Sequence, residues 1–151
     1  MSRSDLFLDS SVLFAGVVSP DGAARALLLL AEAGLVTVTV SEQVVAETER
    51  AVARKVPQAL AYYREALRST GLRIVHDPSP EEVEAHKDII AHRTDVPIVV
   101  AAMRAGVDYL VTFNRRHFID DPGVATRSGL RIGVPGDALA WVREKLAREG
   151  G

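Results

Sequence analysis

Three acids could do chemistry together in this chain, Asp9, Glu47 and Asp95, with Asn114 as a fourth polar group. Asp9 ends the apolar run Leu6-Phe7-Leu8 and is followed by Ser10 and Ser11. Glu47 falls at the rim of a helical arc made by Val44, Val45, Thr48, Ala51 and Val52. Asp95 stands just ahead of the apolar stretch Ile98-Val99-Val100-Ala101-Ala102-Met103, and Asn114 follows Thr112-Phe113. Three carboxylates brought together without a matching cation repel one another. A hard divalent ion held by oxygen ligands, Mg2+ or Mn2+, is the usual resolution. Such an ion can activate a water and neutralise charge on a phosphodiester oxygen. Taken singly, each residue has a plainer explanation. Asp9 or Ser10 would cap a following helix, Glu47 would reach to water, and Asp95 or Thr94 would cap the helix that Pro97 opens. The chemistry therefore depends on whether the fold carries all four to one place.

The order of elements says that it does. Leu6 to Leu8 reads as a buried first strand, Val12 to Val17 as a helical turn, and Ala23 to Ala33 as a helix stopped by Gly34. Leu35 to Val40 alternates valine and threonine as a second strand, and Ser41 caps a helix over Glu42 to Lys55. A helix from Pro57 to Ser69 leads to a third strand at Leu72 to Val75. Beyond the break at His76 to Pro80, Glu81 to His92 reads as a helix, and a buried helix runs from Thr94 to Gly106. Tyr109 to Thr112 is a fourth strand, Asn114 to Ser128 a polar loop, Leu130 to Val134 a fifth strand, and Pro135 opens an amphipathic last helix. Alternating strands and helices predict a three-layer α/β/α fold, with a central parallel sheet of four to five strands, as a single domain over residues 1–151. Right-handed crossovers bring the carboxyl ends of such strands to one edge, where ligands bind.

Composition narrows the classes. The chain has 151 residues, 48% hydrophobic and 25% charged, which suits one globular domain. A net charge of -2 excludes binding of nucleic acid by the whole-protein field, leaving only a local basic patch. The absence of cysteine excludes disulfides, thiol nucleophiles and cysteine zinc sites, and fits a reducing compartment. Asp5 and Asp9 interrupt the apolar N-terminal region and argue against an export signal, and no later apolar run spans a bilayer. The expectation is a cytoplasmic protein with no membrane segment.

Three ordered blocks resemble the PIN-domain family of metal-dependent nucleases. They are Phe7-Leu8-Asp9-Ser10-Ser11, Val40 to Glu47, and Asp95 to Ala102 running into Gly106 to Thr112. The resemblance covers nearly the whole chain. It implies metal-binding acids at Asp9, Glu47 and Asp95, a polar helper at Ser11 or Thr112, and Mg2+ or Mn2+ as cofactor. It also implies hydrolysis of single-stranded RNA by a water attacking in line. Free-standing domains of this size are often toxins of toxin–antitoxin modules, commonly homodimers blocked by a small antitoxin protein. The chain departs from the family pattern where a fourth acid usually follows Thr112 by two residues. Asn114 stands there, and His117, before Phe118, takes the place of the later acid.

Arg115 and Arg116 are the expected phosphate contacts, with Arg50, Arg54 and Lys55 as second choices. His92 and His117 are candidate proton carriers, His92 more simply a surface residue. Tyr62, Tyr63 and Trp141 read as packing or subunit contacts, and Asp120 and Asp121 as part of a turn before Pro122. Two other classes compete. One is a PIN-like binding module without catalysis, which the missing fourth acid favours. The other is an Asp-based phosphatase or phosphoacceptor domain with Asp9 as nucleophile, which would want a second acid close to Asp9, where Ser10 and Ser11 stand, and a late lysine.

Overall fold

Leu6, Phe7 and Leu8 are fully buried, and the strand that holds them, β1 (Ser4–Leu8), runs down the middle of the molecule. A strand covered on both faces reads as a continuous apolar run. The structure, a computed structural model, describes residues 3–150. Five parallel strands lie in the order β3-β2-β1-β4-β5, with β2 at Val36–Ser41, β3 at Arg73–Val75, β4 at Tyr109–Val111 and β5 at Arg131–Gly133. Register is fixed by Phe7 opposite Thr39 on one side and Leu110 on the other. The predicted α/β/α fold with four to five parallel strands is the one observed.

The chain builds outward from β1 through β2 to β3, then returns to lay β4 on the other flank of β1. Right-handed crossovers put the helices of the two halves on opposite faces. Helices α1 (Ser10–Val18), α2 (Ala23–Glu32), α3 (Glu42–Lys55) and α4 (Leu60–Ser69) pack on one another, and α8 (Pro135–Gly150) joins them through α2. On the other face α6 (Val96–Ala105) packs against α5 (Pro80–Ala85) and α7 (Gly123–Ser128). The reversal of strand order lies between β1 and β4, and a crevice opens beyond their carboxyl ends.

Helix α6 anchors the second face. Val96, Ile98, Val99, Val100, Ala101 and Ala102 are all buried, and Gly106 closes it with φ 70°, a left-handed conformation suited to glycine. Among the described residues no single helix is long and apolar enough to cross a membrane; α1 and α2 reach that composition only together and bend by 83° between them.

Two segments differ from the sequence-based expectation. The helix expected over Glu81 to His92 stops at Ala85. Ser79 and Glu82 form a capping box at its start, and at its end the Glu82 carbonyl accepts the His86 N–H and has the ring Nδ1 2.8 Å away as well. Ile89 and Ile90 then both enter the core from the turns that follow. The stretch from Asn114 to Ser128 is not simply a polar loop. It holds a π-helical turn, Arg115–Ile119, and then α7, pinned by buried Phe118 and Val124.

Candidate active site

Asp9 leaves β1 at its carboxyl end, where its N–H still donates to the Val111 carbonyl at 3.1 Å and extends the ladder to β4. Its side chain also caps α1, accepting from the Val12 N–H at 3.1 Å. Capping uses Oδ1, which accepts the Ser11 hydroxyl at 2.6 Å as well, while Oδ2 accepts a hydrogen bond from Thr112. Burial pushes the Asp9 carboxyl above its ordinary range, and these donors pull it back only in part. The plainer reading of Asp9 as a cap is thus correct and incomplete. Three donors hold a carboxylate that has no cation against it.

Glu47 projects from α3, whose N-terminus Ser41 caps through the Val44 N–H. Partial burial raises its carboxyl; the Gln43 amide at 3.4 Å and the charge of Arg50 lower it, and Asp9 and Asp95 raise it again. That last effect puts the three carboxylates within electrostatic reach of one another.

Asp95 occupies the cap position of α6, yet its side chain makes no capping bond. The expected explanation of Asp95 as a cap is corrected here. Its Oδ2 lies 2.8 Å from His117 Nδ1, and the His117 ring stacks on His92 with centroids 3.4 Å apart and planes 14° from parallel. Asn114, at the position of the missing acid, accepts the His117 N–H through Oδ1 at 3.1 Å and donates its own N–H to Thr112 Oγ1 at 3.0 Å. Asn114 therefore holds the π-helical turn in place.

Asp9, Glu47, Asp95, Asn114 and Ser11 line one cavity of about 360 Å3, with Ser10, Gln43, Thr94, Ile98 and Phe118. Thr112 is fully buried behind Asp9, and His117 stands behind Asp95. Arg115 and Arg116 are exposed at the start of the turn next to Asn114. Arg54 and Lys55 lie in the last turn of α3, away from Glu47, and Lys55 sits over the Phe14 ring. Tyr63 is buried with its hydroxyl on the Val45 carbonyl, and Trp141 packs on Tyr109, whereas Tyr62 is exposed. Asp121 pairs with Arg127 and accepts the Gly123 N–H ahead of α7, as a turn residue should.

The donor chemistry fits a hard divalent cation. Every charged group lining the cavity is a carboxylate, and the smaller part of the rise of Glu47 that comes from the charges of Asp9 and Asp95 is a repulsion that a cation relieves. As the side chains stand, no group of three acidic or imidazole residues among those described is drawn tightly enough to hold an ion. Sequence reasoning missed Gln43, Ile98 and Phe118 as lining residues. Gln43 was detectable, because it lies one helical turn before Glu47. The pairing of His117 with Asp95 spans 22 residues and carries no local signal.

A family profile for the PIN domain matches residues 5–116. No curated protein matches the chain in sequence. Solved structures share the fold at low identity. One is that of VapBC2 from Rickettsia felis bound to a DNA fragment from their promoter, at 20% identity and TM-score 0.61, covering 86% of this chain and 98% of that one. PAE2754 from Pyrobaculum aerophilum is 16% identical with TM-score 0.63, covering 93% and 90%. FitAcB from Neisseria gonorrhoeae is 19% identical with TM-score 0.56, covering 86% and 97%. With the profile spanning both Asp9 and Asn114, and the parallel sheet carrying the acids to one crevice, this chain belongs to the PIN-domain family.

Proposed function

We propose that the protein is a Mg2+- or Mn2+-dependent endoribonuclease that hydrolyses single-stranded RNA, the toxin of a toxin–antitoxin module. The observation that carries this reading is the cavity at the strand-order reversal, lined by Asp9, Glu47 and Asp95 with no cation among its walls. PIN domains are in general nucleases, and the three acids are the matched positions of this chain. A bound Mg2+ or Mn2+ supplies Lewis-acid activation of a water and charge neutralisation at the phosphodiester. Asp9, Glu47 and Asp95 would hold it. Ser11 and Thr112 fix the Asp9 carboxylate by donating to opposite oxygens, so that it meets the ion in one orientation. Asn114 shapes the floor without adding charge. Arg115 and Arg116, exposed beside it, offer guanidiniums for phosphates flanking the scissile bond.

The family resemblance and the likeness to the VapBC2 and FitAcB structures support a small antitoxin protein as partner. The homodimer rests on the family resemblance alone, and a place in the cytoplasm on the composition. A second reading is a PIN-like binding module, favoured by the replacement of an acid by Asn114 and by carboxylates that do not converge as they stand. The phosphoacceptor reading lacks its lysine, since none lines the cavity. Incubating the protein with a labelled single-stranded RNA pool, in Mn2+, in Mg2+ and in chelator, separates the readings. Cutting in either metal and none in chelator supports the nuclease. A folded, metal-supplied protein that binds RNA without cutting it supports the binding module.

A further inference from the structure

We propose that His117, backed by His92, is a positioning residue that sets the orientation of Asp95 and thereby the affinity of the acidic cavity for a divalent cation. The inference rests on the metal-site reading above and adds a residue to it. Asp95 makes no capping bond, so its carboxylate has lost the restraint that fixes an acid at a helix start. What holds it instead is His117 Nδ1 at 2.8 Å from Oδ2. Toward an ionised carboxylate, which only accepts, that nitrogen must carry the proton.

The imidazole is itself held from two sides. Asn114 Oδ1 accepts the His117 N–H, which fixes the backbone of the turn, and the His92 ring lies flat against its face. The circuit closes, because the Asp95 N–H donates to the His92 carbonyl at 2.9 Å. Two further hydrogen bonds run from Asn114 through Thr112 to Asp9, on the other wall of the cavity. Asp9 and Asp95 are thus linked by one chain of hydrogen bonds through Thr112, Asn114 and His117. His117 engages only Oδ2, and Asp95 lines the cavity, so Oδ1 stays available as a donor to an ion. Partners that orient a ligating carboxylate in this way typically carry about 10- to 100-fold of metal affinity.

The test is titration of Mn2+ into the metal-free full chain by calorimetry, with thermal unfolding in chelator as a control on folding. His117→Ala should weaken Mn2+ binding by about 10- to 100-fold while leaving the unfolding temperature in chelator unmoved. His117→Asn, whose amide can donate from nearly the place of Nδ1, should restore most of the lost affinity. Asp95→Asn should lose binding more severely than either. His117→Ala binding Mn2+ as the unaltered protein does, with Asp95→Asn impaired, would overturn the inference and leave the metal site standing. Loss of affinity that only tracks a lower unfolding temperature, with no rescue by Asn, would also overturn it. Failure of the unaltered protein to bind Mn2+ would overturn the metal-site reading and this inference together.

Discussion

The Thr112 hydroxyl donates to Asp9 Oδ2 across 103 residues of sequence, tying the end of β4 to the end of its neighbour β1. The same hydroxyl accepts the Asn114 N–H, so one buried oxygen fixes a carboxylate and the start of the following turn. Thr112→Val keeps the shape and removes both bonds. Leaving buried polar groups unpaired costs about 1–3 kcal/mol. Denaturant unfolding should show that loss in Thr112→Val and almost none of it in Thr112→Ser.

Stability of the metal-free protein should depend on pH through Asp9 and Glu47. Both carboxyls stand above their ordinary values of 3.8 and 4.5, chiefly through burial, so the folded chain binds these protons more tightly than the unfolded one. Their contribution is complete below the ordinary carboxylate range and is lost as pH rises through the raised values. Exposed acids held low by arginine, Glu84 and Asp121, act in the opposite sense, so the readout is a difference between proteins. Thermal unfolding in chelator should show Asp9→Asn gaining on the unaltered protein from pH 4 toward pH 7. A difference that stays constant or shrinks over that range would contradict the assignment.

Binding of a cation to the folded state alone stabilises it by about 2.7 kcal/mol at a concentration one hundred times Kd. For a chain of this size that is a rise in Tm of roughly 5–10 °C, at about 2–4 °C per kcal/mol. Mn2+ should produce the rise in the unaltered protein, and Glu47→Gln should abolish most of it. Differential scanning fluorimetry with and without chelator reads the effect.

Arg115 and Arg116 should act on RNA through phosphate. Each alanine substitution should weaken binding of single-stranded RNA similarly across base sequences. Each should also lower the slope of log affinity against log salt by about 0.7 for every phosphate no longer neutralised. Fluorescence anisotropy over a salt series, with Asp9→Asn present in all proteins to prevent cutting, makes the measurement. Arg131 and Lys145, which sit over Trp141, supply control substitutions.

The parallel sheet and the edge that carries the acids were legible because they follow from local pattern and handedness, whereas the order of the strands was not. Leu6-Phe7-Leu8 announces a buried strand, Ser41 a helix start, and Gly106 a helix end; with right-handed crossovers these suffice to bring Asp9, Glu47, Asp95 and Asn114 to one crevice. Helix limits were less legible. α5 stops at Ala85, seven residues before His92, with the His86 ring turned onto the Glu82 carbonyl, and periodicity holds no trace of it. The segment after Asn114 looked like a loop because its charges outnumber its apolar residues, yet Phe118 and Val124 were enough to fold it. Asp95 is the sharpest case. Its position before Pro97 fits a cap, and only tertiary structure shows the side chain directed to His117 instead.

Whether Asp9 serves a metal-dependent nuclease site is decided by cleavage of a labelled single-stranded RNA at saturating Mn2+, by the unaltered protein and by Asp9→Asn. Asn at position 9 can still accept the Val12 and Ser11 bonds that shape the start of α1, so the fold should persist while a charge is lost. The unaltered protein should cut, and the variant should cut at least about 100-fold more slowly, roughly 2.7 kcal/mol of barrier. Equal cutting by the two folded proteins would contradict the role given to Asp9.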